Sequence, residues 1–171
     1  MSDPAPAFLV NAHNDPVLVK IQGKACFQNC SPLKEFVQQM LDQGRRNIVI
    51  DFSGCTGMDS TFLGILAGAG ISMMRSEVKG EMILARLSPR NLELVCNLGL
   101  NRIVTVDADE SVEVSDCKSE LKGDTAKSKE AIENARMVLG AHENLVEIDA
   151  ANKAKFQDVI AFLKNQVDAL E

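Results

Sequence analysis

The sequence predicts an α/β fold of order ββαβαβαβ, with helices packed on a mixed, mostly parallel sheet and two more helices at the C-terminal end. Three observations point to it. Short β-branched runs such as Ile48-Val49-Ile50 and Ile103-Val104-Thr105-Val106 alternate with longer stretches whose apolar residues recur every three or four positions. Proline stands at helix starts and glycine at helix ends. After the first two strands, single helices alternate with single strands, which implies parallel neighbours joined by crossovers.

Ala7 to Val10 and Val17 to Ile21 read as a hairpin, joined through Asn11-Ala12-His13-Asn14-Asp15-Pro16, whose residues favour turns. Ser31-Pro32 opens a helix with the buried stripe Leu33, Phe36, Val37, Met40 and Leu41, which Gly44 ends. Asn47 to Phe52 is a strand apolar enough to be buried on both faces. A central helix from about Thr61 to Arg75 is apolar over most of its circumference, and Lys79-Gly80 separates it from a strand at Met82 to Ala85. Ser88-Pro89 starts a short helix carrying Leu92, Leu94, Val95 and Leu98, which stops at Gly99. Ile103 to Val106 is the last strand, and this unit ends near Glu110.

Composition narrows the function. With 171 residues and 46% hydrophobic content, the chain can bury a core, and its formal charge of −6 with a pI near 5.0 argues against nucleic acid as a partner. Met1 to Pro6 lack the features of a signal peptide. The longest apolar stretch, Phe62 to Met74, is shorter than the ~20 residues of a membrane span. A cytoplasmic protein without a membrane partner is expected. Cys26, Cys30, Cys55, Cys96 and Cys117 form no Cys-x-x-Cys pair, so free thiols are expected and neither a metal nor another cofactor is implied. His13 and His142 fall in no pattern that pairs them with a nucleophile and an acid, which speaks against catalysis.

The most informative segment is Met58-Asp59-Ser60-Thr61-Phe62-Leu63-Gly64, between the apolar strand and the apolar helix. Asp59 or Ser60 can cap the helix, because either side chain accepts from the free backbone donors of the first turn. The same place tolerates a phosphate, since the positive end of the helix dipole favours negative charge. A plain cap and a phosphorylation site are both consistent with these residues. Gly64, Gly68 and Gly70 make no phosphate loop, for the Lys-Ser/Thr ending is missing, and close packing is the expected reason for them.

Residues of about 7 to 110 resemble the STAS family, the anti-sigma-factor antagonists and the related domains of anion transporters and stress sensors. The resemblance is carried by Ile48 through Gly64, followed in order by Leu87-Ser88-Pro89 and Asn97-Leu98-Gly99-Leu100. It implies a non-enzymatic partner switch, in which an anti-sigma factor that is also a serine kinase is bound when Ser60 is unmodified and released when Ser60 is phosphorylated. A phosphatase would reverse the modification. Thr61 is the second candidate acceptor, and Asp59, Ser60, Thr61 and Phe62 are the implied partner-binding residues. A STAS scaffold or ligand-sensing module, with Ser60 only a cap, is the alternative. Two departures stand out: Gly23-Lys24-Ala25-Cys26 replaces an acidic pair common in antagonists, and Phe62 stands where many members have Gly.

The resemblance does not reach the last third of the chain. Residues 111–128 read as a polar linker, and 129–171 as a helical extension. Ala131, Ile132, Ala135, Val138 and Leu139 mark one amphipathic helix; Phe156, Val159, Ile160, Leu163, Val167 and Leu170 mark another. Their apolar stripes must be buried on the α/β unit, on each other, or in a homodimer.

Overall fold

A computed structural model describes residues 7–107, 117, 119–121 and 131–171. Strands β1 (Phe8–Asn11) and β2 (Val17–Ala25) form the expected antiparallel hairpin, with Phe8 opposite Ile21. Helix α1 (Ser31–Asp42) leads to β3 (Asn47–Met58), helix α2 (Ser60–Arg75) to β4 (Glu81–Ala85), and helix α3 (Pro89–Asn97) to β5 (Thr105–Asp107). Strands β2, β3, β4 and β5 are parallel neighbours, each joined to the next by a crossover through a helix. A sixth strand, β6 (Ser119–Glu120), pairs antiparallel with β1, and the sheet order is β5-β4-β3-β2-β1-β6.

Alternation along the strands divides the side chains between the two faces of the sheet. Val19, Ile21, Ile48, Ile50, Phe52 and Leu84 join one large core with the buried residues of α1 to α4. Leu18, Val49 and Ala85 point to the other face, where Cys117 completes a small cluster. Both faces of β3 are therefore covered, as its unbroken apolar run predicts.

The structure departs from expectation at three places. Strand β3 runs on to Met58 rather than stopping at Phe52, because β2 also continues to Ala25 and the two stay paired through register shifts. The last parallel strand begins at Thr105 instead of Ile103. Gly99 takes the left-handed conformation (φ 81°), and a 3-10 turn at Leu100–Arg102 then drives Leu100 into the core before the chain can extend. Within the expected linker, Ser119–Glu120 form β6, and the Leu121 N–H donates to the Phe8 carbonyl (3.1 Å). Residues 108–116, 118 and 122–130, which include the expected boundary near Glu110 and most of the linker, lie outside the described residues.

Helix α4 (Ala131–Ile148) packs on α2, and α5 (Asn152–Leu170) packs on α4. The α4–α5 turn is tied to α3 by Asn152, which is fully buried and donates through Nδ2 to the carbonyls of Leu98 (2.9 Å) and Leu145 (2.8 Å). Lys155 adds a bond to the Asn97 carbonyl at 2.8 Å. The outer face of α2 lies under α4, which explains why α2 is apolar nearly all round.

Candidate functional site

Strand β3 carries Asp59 and Ser60 to the carboxyl end of the sheet, beside the end of β2, where Ala25 pairs with Met58. Asp59 is extended (φ −114°, ψ 173°) and is the cap of α2: its Oδ1 accepts from the Phe62 N–H at 2.9 Å. Its Oδ2 accepts from the Phe27 N–H, also at 2.9 Å. One carboxylate thus fixes the start of α2 and the loop after β2 in a single arrangement. Of the two candidate caps, Asp59 takes the role, which leaves the Ser60 hydroxyl for other work.

Ser60 is the first residue of α2 and half-buried. Its Oγ lies 2.8 Å from Nε2 of His142, on α4. Nδ1 of the same ring is 2.7 Å from the Val138 carbonyl oxygen, which can only accept, so Nδ1 carries a proton. In the neutral ring Nε2 is then the acceptor, and the Ser60 hydroxyl donates to it. His142 is buried (4% exposed), with Phe156 of α5 edge-on to its ring at 5.1 Å. Among the described residues no carboxylate completes this pair, and a backbone carbonyl balances imidazolium charge far less well than a carboxylate.

The other expected site residues turn inward. Thr61 is 4% exposed, and Phe62 is fully buried, its ring stacked on Phe8 (6.2 Å) and edge-on to Phe52 (6.3 Å). The bulk added at position 62 therefore fills the core beneath Ser60, and neither side chain offers a surface in this state. Helical spacing is the cause, since position 62 shares its face with the buried Ile65 and Leu66. At the end of β2, Lys24 is exposed, Cys26 just beyond the strand is buried, and Gly23 takes the left-handed conformation (φ 80°) where the register of β2 against β3 shifts.

Two residues of this site escaped sequence reasoning. Phe27 is 48% exposed beside Asp59, an aromatic ring at the rim of the site with no sequence pattern around it. His142 sits one helical turn after Val138, in line with the apolar stripe of α4, and a lone His at a buried-stripe position was the only signal available. The thiol of Cys30, at the start of α1, is pushed up to about 12, first by burial and then by the nearby Asp59 carboxylate. Burial likewise raises Cys55. Among the described residues, no three His, Cys, Asp or Glu side chains converge as metal ligands, and no helix is long and apolar enough to cross a membrane.

Comparison with solved structures finds the anti-sigma factor antagonist SpoIIAA in its unphosphorylated form, with 19% identity and a TM-score of 0.50. That match covers 64% of this chain and 90% of that one. An anti-sigma factor antagonist from Mycobacterium paratuberculosis is 20% identical over 62% of this chain and 89% of that one, with a TM-score of 0.48. At such identities the likeness to SpoIIAA is one of fold. Among curated proteins no relative matches significantly. The model of the STAS domain matches residues 7–113, the α/β unit with the Asp59-Ser60 junction at its centre, and on that match the chain belongs to the STAS domain family.

Proposed function

We propose that this protein is an anti-sigma-factor antagonist that works as a partner switch, binding an anti-sigma factor with serine-kinase activity while Ser60 is unmodified and releasing it when Ser60 is phosphorylated. A phosphatase restores the binding form. The observation that carries this reading is the division of labour between Asp59 and Ser60. Asp59 alone caps α2, and Ser60 holds a hydroxyl at the helix start that the cap does not use. SpoIIAA, which shares the fold, is an anti-sigma factor antagonist solved in its unphosphorylated form.

A phosphate there adds a charge of about −1.5 to −2 and three acceptor oxygens, which the helix start tolerates and an acidic or apolar partner surface does not. Residues 7–110 are the switching unit in this proposal, and 129–171 an extension that acts on it. Thr61 is a poor second acceptor because of its burial. Phe27 and Lys24 are the residues that give the partner surface its character, one apolar and the other basic at a position where many antagonists are acidic. The test is a binding titration of wild type and Ser60→Asp against the serine-kinase anti-sigma factors of the source organism. Wild type should bind one of them, and Ser60→Asp roughly tenfold or more weakly, a difference of about 1.4 kcal/mol. Equal binding would refute the switch.

A scaffold role has one observation in its favour: α5 exposes Val159, Phe162 (67%) and Leu170 on its outer side. If that face joins two copies, Phe162→Glu should halve the mass seen by light scattering; a monomeric wild type would remove this reading.

A further inference from the structure

We infer that α4 is a cover built into the chain, which closes the Ser60 hydroxyl to a phosphoryl donor while docked and is kept off once Ser60 carries a phosphate. This rests on the reading of Ser60 as phosphoacceptor and adds the element that controls access to it. Two independent contacts place the cover. At the first turn of α2, Ser60 Oγ is held 2.8 Å from His142 Nε2, on a ring whose other nitrogen is fixed by Val138. One turn further on, Gly64 meets Ala141 backbone to backbone: a Cβ on Gly64 would stand 2.7 Å from the Ala141 Cβ and closer still to its carbonyl oxygen. The Gly64 carbonyl in turn accepts from Asn144 Nδ2 at 3.2 Å, and Arg75 at the far end of α2 pairs with Glu147.

With α4 docked, the geometry opposes the transfer. Phosphorylation forms a bond from Ser60 Oγ to the terminal phosphorus of a nucleoside triphosphate held by the kinase, breaks the bond to the diphosphate leaving group, and passes the hydroxyl proton to a base of the kinase. The attacking oxygen must face the donor in line. Here its hydrogen is directed at His142, whose own helix stands over it. After transfer the ester oxygen has no hydrogen to donate, and three phosphate oxygens need the space between Oγ and the imidazole. With Gly64 and Ala141 already in backbone contact, that space opens only if α4 moves away.

The small residues of α2 acquire a purpose from this arrangement. Gly64 and Gly68 form a shallow groove into which Ala141 and Asn144 fit, so α4 lies close enough for His142 to reach Ser60. When α4 leaves, the same groove and the Ser60 hydroxyl become available together. Release of the cover and exposure of the Ser60 hydroxyl are thus one event.

The test uses the full chain and no kinase. In Ser60→Cys, alkylation by N-ethylmaleimide is mapped at position 60 by mass spectrometry, alone and combined with Ala141→Arg, which cannot sit against Gly64. Amide exchange of Ile48 to Ile50 in β3 reports that the sheet stays folded. Amide exchange of residues 131–148 is followed in wild type and in Ser60→Cys, which should match, and in Ser60→Asp. Alkylation should quicken roughly tenfold or more when Ala141→Arg is added, since labelling no longer waits for α4 to open. Exchange in α4 should quicken in Ser60→Asp. Equal alkylation with and without Ala141→Arg would overturn the cover, and unchanged or slower α4 exchange in Ser60→Asp would overturn its exclusion by phosphate. Both readouts are independent of any kinase, so a chain that is never phosphorylated would sink the switch by a separate result.

Discussion

Gly64 of α2 and Ala141 of α4 touch through their backbones, and this contact sets how closely the C-terminal helices approach the STAS unit. A glycine in a helix interior costs about 1 kcal/mol against alanine, so Gly64→Ala would stabilise an isolated α2. In the folded chain the added methyl overlaps Ala141, and overpacking of this kind costs about 1 to 3 kcal/mol. The predicted outcome is a lower melting temperature in the full chain. A rise would show that α4 does not lie where the structure puts it.

Asp59 accepts from two backbone donors far apart in sequence, the N–H groups of Phe27 and Phe62. Asp59→Ala removes both acceptors, and a lost cap alone costs about 0.5 to 2 kcal/mol. Urea denaturation should show a loss at the upper end of that range. Ser60→Ala, which removes no cap, should cost less.

Asn152→Ala leaves the carbonyls of Leu98 and Leu145 without the Nδ2 donor that joins the α4–α5 turn to α3. The Leu145 carbonyl keeps the Asp149 N–H (3.2 Å), but the Leu98 carbonyl loses this donor, and a buried acceptor left unpaired costs about 1 to 3 kcal/mol. Amide exchange should rise in α4 and α5 while β3 stays protected, because the bond is local to the extension.

Cys30 supplies a pH dependence. Its ordinary value is 9.0 and the fold pushes it up to about 12, so above pH 9 the unfolded chain loses this proton and the folded chain keeps it. The contribution is fully present below pH 9 and declines from there towards pH 12, where the folded thiol also ionises. Urea melts of wild type at about pH 8 and about pH 10.5 should differ by more than those of Cys30→Ala. At neutral pH, thiol reagents should find the exposed Cys96 first and Cys30 only on unfolding.

Much of this fold is legible in the residue pattern because each element carries a local reason. Helix α1 has its proline start and its stripe, α3 has Ser88, whose hydroxyl accepts from the Asn91 N–H, and β3 has its β-branched run. The failures have equally local causes. Strand β6 is two residues long and has no period to detect, and its partner β1 lies over a hundred positions earlier. Ile103 and Val104 look like a strand, yet the left-handed Gly99 and the turn after it delay the extension to Thr105.

At the site, Asp59 and Ser60 were visible as a cap and a hydroxyl, because capping depends on residue type. The burial of Thr61 and Phe62 followed from helical spacing and was legible in principle. His142 was not, since its contact with Ser60 depends on how α4 lands on α2 and spans 82 positions of sequence. The glycines of α2 gave half of that answer, a face made for close approach, without saying what approaches.

The central claim is that Ser60 is the residue on which the switch turns. Its most direct test is to incubate the purified chain with a soluble extract of its source cells and magnesium-ATP, then map phosphate by mass spectrometry in wild type and in Ser60→Ala. A single phosphate on Ser60, absent from the variant, is the predicted result. Phosphate on another residue only, or none in a chain whose α4 has been released by Ala141→Arg, would contradict it.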